Sequence, residues 1–205
     1  MPPKSKFTKE EIIAAALEIA SHDGIEAVTA RSVGAKLESS ARPIFTVFKN
    51  MEELISAVND SARELYNSYI REGLKEEIRF KGVGKAYIKF AVEQPKLFQL
   101  LFMSEHPSDT TLSSLHIFDD NYDDILSSIT DQYGLNRENA LSVYRHLWIY
   151  THGIASMCAT KTLEFKETEI SDMMTDVFIS LLIKKKADAE KNNYKNKGAT
   201  ENDQN

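Results

Sequence analysis

Along most of the chain apolar residues recur three and four positions apart, the period of an amphipathic helix, while strand-like alternation is hard to find. Thr8 and Glu11 form a T-x-x-E capping box, after which Ile12, Ile13, Ala16, Leu17 and Ala20 share one face. "SHDGI" stops this helix, with Gly24 as the C-terminal residue. Thr29 then caps a short second helix that turns Val33 and Leu37 inward. "ESS" makes a tight break, and Ser39 or Ser40 caps a third short helix with Pro43 in its first turn, where a missing N–H costs little. So short a helix holds only if Ile44, Phe45 or Phe48 pins it to its neighbours. Asn50 caps a long fourth helix carrying Met51, Leu54, Ile55, Val58, Leu65, Tyr66 and Tyr69.

The same period continues downstream. "GVGKAYIKFAVEQP" predicts a helix stopped by Pro95, and "KLFQLLFM" a short apolar one closed by "SEHPSD". Residues 111–133 follow, with Leu112, Leu115, Tyr122, Ile125, Leu126 and Ile129 inward and Gly134 as the stop. Two long helices complete the pattern, 136–160 and "KETEISDMMTDVFISLLIKKK", the latter with Ile170, Met173, Val177 and Leu181 on one stripe. From Ala187 the composition turns to Lys, Asn, Gly and Asp, which predicts a disordered polar tail. The expectation is an all-α fold of about nine helices. Its predicted parts are residues 1–50, residues 51–186 and the tail 187–205.

Composition narrows the class. A 42% hydrophobic chain of 205 residues can bury a core unaided. Its single cysteine, Cys158, rules out an internal disulfide framework. "MPPKSKFTKEE" runs directly into a charged helix without the apolar stretch of an export signal. No apolar run nears a membrane span. A cytoplasmic protein with no membrane partner is expected. The net charge of −6 is unevenly spread: seven Lys or Arg face six acids up to Asn50, so the remaining chain carries almost all of the negative charge.

A helix, a second short helix, a tight turn and a third short helix make a helix-turn-helix pattern, in which the last helix enters the DNA major groove. Its tip would carry Ser40, Ala41, Arg42 and Pro43, with Ile44 and Phe48 as the docking face and Lys49 at the far end. Arginine can grip guanine O6 and N7, which makes Arg42 the first choice for reading bases, against a solvated surface charge. Lys49 suits a phosphate. Thr29 would contact phosphate or simply cap its helix. Ala41, Pro43 and Thr46 would touch thymine methyls or backbone, and Phe45 would pack on sugar and phosphate or join the core.

"TARSVGAKLESSARPIFTVFKNMEEL" resembles the N-terminal module of TetR-family transcriptional regulators, with Thr29, Val33, Ile44, Phe45, Phe48, Lys49, Glu52 and Leu54 in matching order and spacing. "AYIKFAVEQPKLFQLLF" and "WIYTHGIASM" look like segments of that family's regulatory domain. The resemblance adds Arg31 as a DNA contact from the second helix, against a surface pair with Glu26 or Glu38. It also implies a homodimer through the last two long helices, which would set two recognition helices about 34–36 Å apart. A small-molecule effector pocket in the helical bundle is implied as well. Phe102, Tyr122, Trp148 and His152 are its candidate residues, with plain core as the other reading for each. Gly153 is read as a close-packing position beside "WIYTH". Four departures from the family pattern stand out: Glu38 for glycine, Phe45 for tyrosine, Val47 for His or Tyr, and Met51 for lysine. They predict a modest intrinsic DNA affinity.

No catalytic motif is legible, and no metal or cofactor is called for. The five histidines form no HExxH pattern. "FDDNYDD" reads as a solvated acidic face before a cation site. "GVG" at Gly82 lacks the third glycine and preceding strand of a dinucleotide fingerprint. The expectation is a ligand-responsive repressor that binds a palindromic operator as a dimer. The alternative is a ligand sensor or partner adaptor of the same fold with weakened DNA binding.

Overall fold

Side-chain caps set several of the helix starts in the computed structural model, which describes residues 6–105, 111, 114 and 119–202. Thr8 begins α1 (Lys9–Asp23): its Oγ1 accepts the Glu11 N–H at 3.1 Å, and Glu11 Oε2 accepts the Thr8 N–H at 2.8 Å. Gly24, at φ 92°, ends it with its N–H on the Ala20 carbonyl. A 3-10 turn, Ile25–Ala27, leads to α2 (Ala30–Lys36), capped by Thr29. Asn50 caps α3 (Met51–Gly73) by accepting the Glu53 N–H at 2.9 Å. Then come α4 (Arg79–Glu93), α5 (Pro95–Phe102) with Pro95 in its first turn, and α6 (Tyr122–Tyr133), closed by Gly134 in the left-handed region. The chain continues through α7 (Arg137–Ala159) and α8 (Glu167–Asn202). Among the described residues there are eight α-helices and no strand.

Three expectations change. The third short helix is a 3-10 turn, Ile44–Thr46, preceded by turn residues and closed by one α-type bond from the Phe48 N–H to the Ile44 carbonyl at 2.9 Å. Docking of Ile44 and Phe48, both 1% exposed, holds it in place of regular helix bonding. Helix α6 begins only at Tyr122, because Asp119 and its neighbours form a turn; most of the expected helix before that point lies outside the described residues. Helix α8 continues to Asn202 through the stretch expected as a disordered tail. That stretch has no proline and a single glycine, so it propagates a helix already begun.

Helix α3 runs the length of one continuous buried core. Leu54 and Val58 are buried with Ile12, Ala16, Val33, Ile44 and Phe48, while Tyr66 and Ile70 are buried with the aromatic residues of α4 and α5. Helix α4 packs along α3 and α7, and α8 lies on α7. The closest backbone approach is between α3 and α4: a Cβ on Gly73 would stand 2.6 Å from the Gly82 carbonyl oxygen. "GVG" is thus a packing device, with Gly82 against Gly73 and Gly84 against the Met174 side chain of α8. Gly153, expected at a close approach, instead faces open space.

The turn after α2 uses a left-handed residue without being glycine. Glu38 has φ 50°. Its N–H bonds the Ala35 carbonyl at 3.0 Å, and the Ser39 N–H bonds the Gly34 carbonyl at 2.8 Å, the paired bonds of a Schellman motif. Any side chain but glycine is strained there by about 1–2 kcal/mol. Gly34 supplies the second condition for the turn, since a Cβ there would come within 3.0 Å of the Ala41 nitrogen.

Two stability changes follow. Gly82→Ala should destabilise by about 1–3 kcal/mol in urea unfolding, as overpacking does, and no change would mean that the α3–α4 contact yields freely. Glu38→Gly should stabilise by up to about 1 kcal/mol, the relief of strain less glycine's added unfolded-state entropy. A loss of stability would show that the Glu38 side chain supports the turn.

Candidate nucleic-acid interface and central cavity

The segment after the Glu38 turn is divided by exposure. Ile44 and Phe48 point inward, whereas Ser40, Arg42, Phe45, Thr46 and Lys49 are exposed and Ala41 and Pro43 are half-buried. Pro43 has helical dihedrals (φ −59°, ψ −28°) and starts the 3-10 turn. Thr46 Oγ1 donates back to the Pro43 carbonyl at 2.6 Å. The Phe45 ring is 48% exposed, so it belongs to the surface and not to the core. Arg31 sits on the exposed side of α2. Among the described residues Arg31, Arg42 and Lys49 carry no ion pair, including none with Glu26 or Glu38. Their charges are therefore available to an external anion. Lys36 differs, being paired with Glu18.

Thr29 is a committed cap. Its Oγ1 accepts the Ser32 N–H at 3.1 Å, and Ser32 Oγ accepts the Thr29 N–H at 2.9 Å. Lys6 adds a cation at the same turn through a 3.3 Å bond to Ser39 Oγ. Lys9 lies over the Phe48 ring at 5.4 Å, bracing the docking residue from α1.

Behind this module α3 reaches a cavity of about 240 Å³ bounded by α3, α4, α7, α8 and the turn before α6. Tyr66, Tyr87, Tyr144 and Trp148 line it with Phe178, Met174 and Asp119. Of the four residues expected at a pocket, Trp148 lines the cavity directly. The other three stand behind lining rings. Phe102 packs edge-on against Tyr66 at 4.8 Å, and Tyr122 edge-on against Tyr144 at 5.4 Å. His152 stacks on Trp148 at 5.0 Å, with Nδ1 2.9 Å from the Tyr87 hydroxyl. Burial lowers the His152 pKa and favours its neutral ring.

The sequence reading missed the four cavity tyrosines, Tyr66, Tyr87, Tyr133 and Tyr144, and Asp119. Tyr66, Tyr87 and Tyr144 occupy otherwise apolar stripes, and a buried tyrosine needs a partner for its hydroxyl, which is the signal that was available. The Tyr66 hydroxyl donates to Asp119 Oδ2 at 3.2 Å. Tyr144 Oη is buried without a hydrogen-bond partner among the described residues. Asp119 is 3% exposed, and burial pushes its carboxyl up to about 6 despite bonds from the Asn121 N–H and Tyr66. The acidic run splits: Asp119 turns inward, Asp120 Oδ2 accepts Asn67 Nδ2 at 2.6 Å, and Asp123 pairs with Arg137 at 3.3 Å. Among the described residues no group of three or more metal-binding side chains forms, and no helix is long and apolar enough to cross a membrane.

Comparison with known proteins agrees with both halves. Residues 12–58 match the family described as bacterial regulatory proteins of the tetR family, and residues 80–180 match the tetracyclin repressor-like C-terminal domain. A protein of unknown function from Rhodococcus sp. RHA1 shares the fold at TM-score 0.66 and 17% identity, covering 89% of this chain and 97% of its own. The multidrug binding protein EbrR, solved with imidazole, shares it at TM-score 0.53 and 13% identity, covering 82% of this chain and 93% of its own. Among curated proteins no sequence relative is found. With an N-terminal helix-turn-helix and a helical C-terminal domain each matching its own part of one family, the chain belongs to the TetR family of DNA-binding transcriptional regulators.

Proposed function

We propose that the chain is a homodimeric repressor that binds a two-fold-symmetric operator and is released from it by a small ligand in the central cavity. The carrying observation is the division of residues 40–49: Ile44 and Phe48 are buried, while Arg42, Thr46 and Lys49 face solvent from the same short segment. In this reading Arg42 reaches a guanine edge from the tip of the segment, with Ser40, Ala41 and Pro43 allowing the backbone close to the groove. Lys49 and Arg31 meet phosphates, Thr29 orients α2 towards the backbone, and the Phe45 ring packs on sugar. Residues 1–50 act as the DNA-binding unit and 51–186 as the regulatory unit, with α3 anchored in both.

Pairing through α7 and α8 is supported by Ile149, Met173 and Ile183, large apolar side chains exposed on those helices. Two copies so joined would present recognition segments about 34–36 Å apart, one turn of DNA. Ligand control requires unequal affinity of the ligand for the DNA-fitting and non-fitting forms. Trp148 would contact the ligand, while Phe102, Tyr122 and His152 would set the positions of the lining rings.

The bare, exposed Phe45 ring favours a second reading, a ligand sensor whose DNA interface has weakened. Fluorescence anisotropy on a panel of palindromic duplexes at graded salt separates the two. Under the repressor reading some duplexes bind preferentially. Arg42→Ala then costs about 1–3 kcal/mol and relaxes sequence preference, and Lys49→Ala weakens all duplexes and lowers the salt slope by about 1. Absence of salt-sensitive, sequence-preferring binding would favour the sensor. In sedimentation, Ile149→Glu with Ile183→Glu should convert dimer to monomer; an unchanged dimer would place the interface elsewhere.

A further inference from the structure

Among the described residues the cavity contains one carboxylate, in nearly apolar surroundings. Asp119 is buried, and among the described residues its oxygens receive the Asn121 N–H at 3.1 Å, the Tyr66 hydroxyl at 3.2 Å and the Asn121 side chain, all neutral donors. Among the described residues no lysine or arginine forms an ion pair with it. Among the described residues the groups facing it are Tyr66 from α3, Tyr87 from α4, Tyr144 from α7 and the neighbouring Asp120, none of them cationic. Lys81 lines the cavity from α4, and His152 stands behind Tyr87. Met174 and Phe178 face the cavity from α8 and bring no charge. A buried carboxylate without a cation is costly, and that cost falls when a positive charge is brought beside it.

A second, independent feature points the same way. Tyr144 lines the cavity, and its hydroxyl is buried with no partner among the described residues. The remaining wall is rich in rings, and aromatic rings attract cations where water is excluded. A volume of about 240 Å³ suits a small guest.

We propose that the cavity takes a small organic cation, an alkylammonium group on an aromatic or apolar body, whose charge lies against Asp119 among the rings of Tyr66, Tyr87, Tyr144 and Trp148 and whose N–H, where it has one, bonds the Tyr144 hydroxyl. The inference rests on the reading of this cavity as the effector site. An anion would meet Asp119 unfavourably, and a neutral guest would leave its charge unpaired. Because the Asp119 carboxyl is pushed up to about 6, cation binding is fully developed above that pH and weakens as pH falls through it.

The test is calorimetry on the full chain with benzyltrimethylammonium, phenethylammonium, 2-phenylethanol and 3-phenylpropanoate. The expected result is that a cation binds at least about tenfold more tightly than the alcohol and the anion near neutral pH, with affinity falling by up to about tenfold per pH unit below about 6. Asp119→Asn should remove the preference and the pH dependence, apart from any residue due to His152. Tyr144→Phe should weaken phenethylammonium several-fold and spare benzyltrimethylammonium, which has no N–H; this comparison decides the matter if Asp119→Asn does not fold. Equal or tighter binding of the alcohol or anion, no binding of either cation, or unaltered cation binding by Asp119→Asn would overturn the proposal. DNA binding measured on the same protein separates the failures. DNA binding without cation binding sinks only the charge assignment, and cation binding without DNA binding sinks the regulator reading.

Discussion

The continuity of α3 is the constraint on which the other parts depend. Its first turns carry Leu54 and Val58 into the core of the helix-turn-helix, and its last turns carry Tyr66 into the cavity wall and Gly73 onto Gly82. Twenty-three residues in one helix leave no linker between the two ends of the core. A displacement of one end is therefore felt at the other, because packed interiors have discrete arrangements and deform little between them. Tyr66 and Asn67 also hold the turn at 119–121 through bonds to Asp119 and Asp120. The cavity's only buried carboxylate among the described residues is thus tied to the helix that supports the DNA-facing segment.

The segment proposed to face DNA is held with little regular structure. Residues 41–48 form a turn and one 3-10 turn, yet their position is fixed from three directions. Ile44 and Phe48 are docked below, Gly34 admits the backbone from α2, and the Schellman bonds around Glu38 set the entry angle. Glu38 holds the left-handed conformation that glycine adopts without strain. The backbone geometry of the turn is thereby kept at a cost in strain, and an acid is added on the exposed side where Arg42 and Lys49 supply the positive charge.

What the sequence disclosed was governed by range. Caps at Thr8, Thr29 and Asn50, the stops at Gly24 and Gly134 and the proline just after α4 act over a few residues and were readable as written. The anomaly at Glu38 was visible too, although its dihedral angle was not. The type of the third short helix was less accessible, because burial of Ile44 and Phe48 fixes the segment without demanding α-helical bonds. The cavity was least legible. Asp119 lies in an acidic run that reads as a solvated face, and only pairing with Tyr66, 53 positions away, reveals it as buried. The same holds for Gly82, whose partner lies on another helix, and for His152, which reaches the cavity wall through Tyr87 and Trp148.

Hydrogen exchange along α3 tests the central claim most directly, with the full chain free and bound to a duplex that it prefers. If α3 transmits between the two ends of the core, DNA should raise protection at its buried positions from Leu54 to Ile70 and in the turn at 119–121, beyond the segment proposed to touch DNA. Protection confined to residues before Asn50, with α3 beyond Val58 and the cavity wall unchanged, would contradict the account.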